Sequence, residues 1–319
     1  MLTRLAVGAL ALVVVGAAGC SSGGGSTGDW PAARDTPPRI PASSLLVGAA
    51  VPRQLPADGP QAAAYTRFDD ELGTDTQIAH LFRTWDQDLV PPDLSQVAAD
   101  GKYPMLSWNG ADIAGIVSGR YDRRIREQAT ALADSGVPTF LRFRWEMDRP
   151  NLRTSVGSPE AYVAAWRRVH RIFADVGTPS VSWVWCPTAD GFAPGRDAAA
   201  FYPGDDVVDW LCADAYPGRE LTPLATLLAP FLSWAEGHDK PVMIGEFGVP
   251  RTADDDARAA WLGAAGRWLA DEPLVRAVVY FDLDVEPTAR VLQFGIDPGT
   301  ATALAFDQLA RADDQGRSS

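Results

Sequence analysis

The chain has 319 residues, 46% of them hydrophobic, and a formal net charge of −13. That length and apolar content suffice for one large domain or two small ones with a buried core. The acidic balance, with no block rich in Lys and Arg, excludes nucleic acid as a partner, because binding it needs a basic face.

The first twenty residues, MLTRLAVGALALVVVGAAGC, contain one early Arg, an apolar run too short and too rich in small residues to span a membrane, and small residues before Cys20. They are expected to be a cleaved export signal. The AAGC end resembles a bacterial lipobox. That resemblance implies that Cys20 becomes the lipidated first residue of the mature protein, anchored to the outward face of the cell membrane, with an ordinary secretory signal as the alternative. Residues 21–43, rich in Gly, Ser and Pro, are then a flexible tether. Without Cys20, Cys186 and Cys212 remain, open between a disulfide in an oxidising compartment and two small buried hydrophobes. Together with His80, His170 and His238 they show no metal-ligand spacing, and no metal or cofactor is expected.

From residue 44 onward, eight short apolar runs recur: 45–51, 78–85, 103–109, 137–146, 181–187, 207–216, 241–248 and 275–284. Helices with legible ends lie between several of them. The stretch DRRIREQATALADSG is expected to start at Asp122 as N-cap and stop at Gly136. In SPEAYVAAWRRVHRIF, Ser158 caps, Pro159 takes the first helical position and Glu160 sits at the positive dipole end, with Tyr162, Trp166, Val169 and Phe173 on one face. A third helix, DDDARAAWLGAAGRWLA, should turn Trp261, Leu262, Ala265, Trp268 and Leu269 inward. Eight strands with helical crossovers and no Pro-, Gly- or Ser-rich break predict an α/β fold, a single-domain (β/α)8 TIM barrel over 44–312 with a polar tail at 313–319. The rival, a doubly wound open sheet, lacks a Gly-rich phosphate turn after the first strand.

In such a barrel the site forms at the C-terminal strand ends. The fourth run ends in RFRWEMD, where strand alternation predicts Arg142, Arg144 and Glu146 on one face and Phe143 and Trp145 on the other. Val242, Ile244 and Glu246 should likewise share a face on the seventh strand, and Cys212, Asp214 and Tyr216 on the sixth. A charge aimed into a barrel needs a partner, so Arg142 is expected to be buried and paired with a carboxylate such as Asp214. Two glutamates on opposite sides of one barrel mouth can flank a scissile glycosidic bond, one as general acid and the other as nucleophile. Arg144 would oppose protonation of Glu146 if it pointed at it. Trp85, Trp108 and Trp145, each at a strand end among eleven tryptophans, are candidates for stacking on sugar rings, with core packing as the alternative.

The chain resembles glycoside hydrolase family 26, the β-mannanase family with some related glucanases and xylanases, over 45–310. The resemblance is carried by FRTW (82–85), GKYPMLSWN (101–109), GRYDRRI (119–125), FLRFRWEMD (140–148), VSWVWCP (181–187), FYPGDDVVDWLCADAY (201–216) and KPVMIGEFG (240–248). It implies that Glu146 is the acid/base, Glu246 the nucleophile, Tyr216 the phenol that holds the nucleophile, and Arg142 the residue that orients the carboxylates. It implies a retaining, endo-β-mannanase-like hydrolase of β-linked polysaccharide, with β-mannan first and β-glucan or xylan as alternatives. The sequence does not show the oligomeric state, and a monomer is expected. Departures cluster in the sugar-binding shell. Trp145 stands where the family usually has His, Asp148-Arg149-Pro150-Asn151-Leu152 where it commonly has Asn-Gly-x-Trp-Tyr, and Asn109 where a sugar-contacting His is frequent. No tryptophan follows the eighth strand in FDLDVEPTARVLQFG. The rewritten shell keeps two other functions open: a non-catalytic carbohydrate-binding protein on a glycosidase fold, and a transglycosylase that processes an exopolysaccharide.

Overall fold

A computed structural model describes residues 34–40, 44–52, 61–286 and 288–311. The export signal, Cys20 and the polar tail at 313–319 lie outside the described residues. All eight predicted strands form: β1 (Leu46–Ala50), β2 (Ile78–Arg83), β3 (Tyr103–Trp108), β4 (Thr139–Phe143), β5 (Val181–Trp185), β6 (Trp210–Ala215), β7 (Val242–Phe247) and β8 (Val275–Phe281). Each pairs in parallel with the next, and β8 closes on β1, giving a closed barrel. Because parallel strands are buried on both faces, they read as nearly continuous apolar runs.

The two faces of the sheet bury different sets of side chains. Leu46, Ile78, Tyr103, Met105, Phe140, Val184, Trp210 and Met243 fill the barrel interior. The alternate residues, among them Val47, Leu141, Phe143, Trp183, Trp185, Val242 and Ile244, pack against the surrounding helices. Residues 34–40, within the predicted tether, dock on the barrel floor. Asp35 N donates to Gly136 O at 3.0 Å, Arg39 N to the Tyr103 hydroxyl at 3.1 Å, and Ile40 packs on the interior cluster.

The helix Pro159–Val176 starts as its sequence specifies: Ser158 Oγ accepts from Ala161 N at 3.3 Å, and Tyr162, Trp166, Val169 and Phe173 are buried. In the helix Asp122–Ser135 the N-cap is Tyr121 rather than Asp122. Asp122, one residue inside, instead accepts from Arg168 at 2.7 and 2.6 Å, tying this helix to Pro159–Val176. In the helix Asp255–Asp271 Trp261, Leu262, Ala265 and Leu269 are buried as expected, while Trp268 is only half-buried at the edge of that face. Among the described residues no helix is long and apolar enough to cross a membrane.

Candidate active site

Arg142 is the hub of the barrel mouth. It is fully buried, and all three guanidinium nitrogens are hydrogen-bonded. Nε donates to Ser107 Oγ at 2.6 Å and Nη1 to both Asp214 oxygens at 2.9 Å, while Nη2 reaches His80 Nε2 at 3.2 Å and donates to Glu246 Oε1. Its guanidinium also lies 4.8 Å from the Trp145 ring centre. One cation therefore joins side chains from β2, β3, β4, β6 and β7, and Asp214 is the partner expected from the sequence. Burial and the Arg142 charge hold His80 well below its ordinary pKa, so the imidazole is neutral and Nε2 can accept. Burial pushes Asp214 up, against the pull of Arg142.

Glu246 reaches this network through a break in strand regularity, not by simple alternation. Val242 and Ile244 face the outer helices, contrary to the shared face expected for them and Glu246. The β7–β8 register shifts between Ile244 and Phe247, and the β6–β7 register between Ala213 and Asp214. This irregularity turns Glu246 into the barrel, as bulges do when they re-aim a side chain. Gly245 makes room for it. A Cβ there would sit 2.5 Å from Cys212 Sγ and 2.8 Å from both Cys186 Sγ and Asp214 Oδ1. Those cysteines form a disulfide, which decides the alternative that the sequence left open and links the residue after β5 to the middle of β6 beneath the site. Glu246 Oε2 accepts from the Tyr216 hydroxyl at 2.8 Å. Burial first, then the Glu246 charge, raises the Tyr216 pKa well above the ordinary value, so the phenol keeps its proton and stays a donor. Both Glu246 oxygens thus hold a donor, which fixes the orientation of the carboxylate.

Glu146 arrives by a different irregularity. Arg144 and Glu146 both adopt the left-handed backbone conformation, φ 48° and 52°. The first of these swings Arg144 outward, where Nη1 donates to Asn109 Oδ1 at 2.9 Å and Gly110 O at 3.0 Å. Trp145 turns inward instead, against Phe82 and the barrel interior. The expected shared face of Arg142, Arg144 and Glu146 is therefore broken at Arg144. The cation on Glu146 is Arg149, whose Nη1 donates to Oε2 at 2.6 Å. Burial pushes the Glu146 pKa up, the Glu246 charge adds to it, and Arg149 opposes both. Glu146 N donates to Cys186 O at 2.7 Å, and Asp148 accepts from Thr188 N at 2.9 Å and from its hydroxyl at 2.5 Å, fixing the turn after β4 to the end of β5. Both glutamates, Tyr216, Trp145 and Asp214 line one cleft of about 960 Å³.

The Glycosyl hydrolase family 26 model matches residues 101–229. The resemblance to that family is shown. Endoglucanase H of Acetivibrio thermocellus is 26% identical over 243 residues, which cover 70% of this chain and 26% of that protein. Beta-1,3-xylanase TXYA of a Vibrio species is 27% identical over 148 residues, 44% of this chain and 30% of that protein. The chain thus spans less than a third of the length of these curated relatives. Among solved structures, the catalytic domain of a Bacillus sp. JAMB-750 GH26 endo-beta-1,4-mannanase superposes with a TM-score of 0.65 at 14% identity, covering 85% of this chain and 86% of that one. At that identity the likeness concerns the fold.

Three residues singled out in the family-like segments lie away from the cleft. Trp108 is fully buried on the outer side of the sheet and stacks on half-buried Trp85, centroids 4.6 Å apart and planes 10° from parallel. Both belong to the packing between barrel and helices, because β3 ends with Trp108 on its outward face. Asn109 is exposed and serves as the acceptor for Arg144. In their place Phe82, Phe281 and Phe294 line the cleft, with exposed Val285 and Leu292 at its lip. Sequence reasoning missed these and Arg149. Phe82 and Phe281 sit near strand ends and could have been found there, whereas Phe294 and Arg149 come from loops without a periodic signal.

Proposed function

We propose that the chain is a glycoside hydrolase acting on a β-linked polysaccharide by double displacement. The observation that carries this is the pair of glutamates in one cleft with opposite environments: Glu246 braced by Arg142 and Tyr216, Glu146 pushed toward its protonated form by burial and by Glu246. Glu246 attacks the anomeric carbon as the glycosidic C–O bond breaks, and the Glu146 proton goes to the leaving oxygen. Glu146, now ionised, then takes a proton from water. The water oxygen bonds to the anomeric carbon, and the ester to Glu246 breaks. Tyr216 and Arg142 fix the attacking carboxylate, and Trp145, Phe82 and Phe281 offer apolar faces to sugar rings. The similarity to an endo-β-1,4-mannanase, an endoglucanase and a β-1,3-xylanase suggests β-mannan, β-glucan and β-1,3-xylan as first substrates.

A 2-deoxy-2-fluoro glycoside with a good leaving group should label the peptide that contains Glu246. NMR of the first product released should show the retained anomer. An inverted first product, or label on another residue, overturns the mechanism. Binding of polymer without release of reducing ends would make the chain a carbohydrate-binding protein instead. Within the same proposal the protein is exported and tethered through Cys20, so Cys20→Ser should abolish incorporation of a lipid label and release the protein from membranes.

A further inference from the structure

The groups around Glu146 pose a chemical problem that the hydrolase mechanism alone does not solve. An acid that must hold a proton has a guanidinium bonded to its carboxylate, Arg149 Nη1 on Oε2 at 2.6 Å. When Glu146 is protonated, Arg149 loses its only ion-pair partner among the described residues. The Arg149 side chain is 46% exposed to the cleft, so it can turn to a new partner without leaving a buried charge behind.

A second cation lines the same cleft. Arg196, after β5, lines the cleft with an exposed side chain that makes no hydrogen bond or salt bridge among the described residues. The cleft carboxylates are mostly committed elsewhere: Asp214 and Glu246 to Arg142, and Asp284 to Arg251 at 3.3 Å. Asp190 is an exposed carboxylate of the same cleft that has no salt bridge among the described residues. With Glu146 protonated, Arg149 keeps only the unbonded charges of Asp148 and Glu246 nearby, and Arg196 that of Asp197. Both guanidiniums then have hydrogen-bonding capacity free for an oxyanion in the cleft. Whatever accepts the Glu146 proton must come within reach of Arg149, because both act at one carboxylate.

We propose that the sugar on the leaving-group side of the cleaved bond carries an acidic substituent, a carboxylate or a sulfate, which Arg149 and Arg196 bind. This rests on the glycosidase assignment and deepens it. The substrate anion takes Arg149 from Glu146, so that binding the correct polymer also frees the acid to keep its proton. A guanidinium fork suits either oxyanion. A neutral polymer leaves Arg149 on Glu146 and Arg196 unpaired.

The test compares kcat/KM on mannan and β-glucan before and after oxidation of the C6 hydroxymethyl groups to carboxylates, and on their sulfated forms, at low and high salt. Binding to the same polymers is measured in parallel by affinity electrophoresis. The acidic polymers should be preferred by about tenfold to a hundredfold, the usual size of a charge-assisted contact. The larger gain identifies the substituent. Arg149→Gln and Arg196→Gln should each lower the ratio of acidic to neutral kcat/KM, Arg149→Lys should restore part of it, and salt should erode it. Equal or better turnover of the neutral polymers, with a ratio unmoved in both variants, overturns the inference and leaves the hydrolase standing. If no polymer is cleaved, the hydrolase assignment fails, and the inference is judged by binding alone. Preference for acidic polymer that both Gln variants lose supports the anion site, and indifference sinks it.

Discussion

The ends of β7 and β4 each bring a glutamate to one cleft under opposite constraint. Glu246 sits within a strand, re-aimed by a bulge, with one oxygen on fully buried Arg142 and the other on Tyr216. Glu146 sits in the turn just beyond its strand, held by two left-handed residues, and its cation is a half-exposed arginine on the same loop. A carboxylate that must be held in line for attack gains from fixed donors. A group that must alternate between acid and base needs a partner that can leave. The end of β8 supplies a third case. Asp282 is buried with no salt bridge among the described residues, accepts from Ile296 N at 2.6 Å, and is pushed up to about 7 by burial.

The largest test of this contrast removes each glutamate. Glu246→Ala should eliminate the first step on every substrate, since no glycosyl ester can form whatever the leaving group. Glu146→Ala should lose on the order of 10²–10⁴-fold on a polymer, yet keep its first step on an aryl glycoside with an acidic phenol. Azide should then rescue turnover with retained configuration. Equal losses for both variants on both leaving groups would erase the distinction between the two strand ends.

Arg142→Ala probes the fixed side. It strips the cation from two buried carboxylates, so denaturant unfolding should show a loss of about 3–5 kcal/mol together with lost activity. An unchanged midpoint would mean that the hub is not structural. At β8 the sign is set by a raised carboxyl. Asp282 binds its proton more tightly folded than unfolded, so its stabilising contribution is complete below about 4 and gone above about 7. Asp282→Asn, which keeps an acceptor for Ile296 N, should therefore flatten the fall in stability across that window. A wild-type slope in the variant counts against this assignment.

The smallest effect is a shift in pH profile. Glu146 is faced by Glu246, which raises it, and by Arg149 and Arg142, which lower it. Arg149→Gln removes the largest lowering influence, so Glu146 should keep its proton to higher pH. The alkaline limb of kcat/KM on a neutral polymer should then move upward. A downward move would show that Arg149 supports the protonated acid rather than opposing it.

Much of this was legible in local pattern. The eight apolar runs became the eight strands, Ser158 capped the helix that its spacing announced, and buried Arg142 met Asp214, because apolar periodicity, cap chemistry and the cost of an unpaired buried charge all act locally or admit few solutions. The two-residue alternation of a strand also correctly placed Phe143 outward and Asp214 inward. It failed at Arg144, Trp145 and Glu246. There the backbone leaves the strand conformation: two left-handed residues invert the order after β4, and a bulge beside Gly245 accommodates the Cys186–Cys212 sulfurs on β7. Whether a strand end holds such a break depends on what neighbouring strands put into the same space. For the same reason the Trp85–Trp108 stack went to the outer packing, and Arg149, from a loop with no period, became the partner of Glu146.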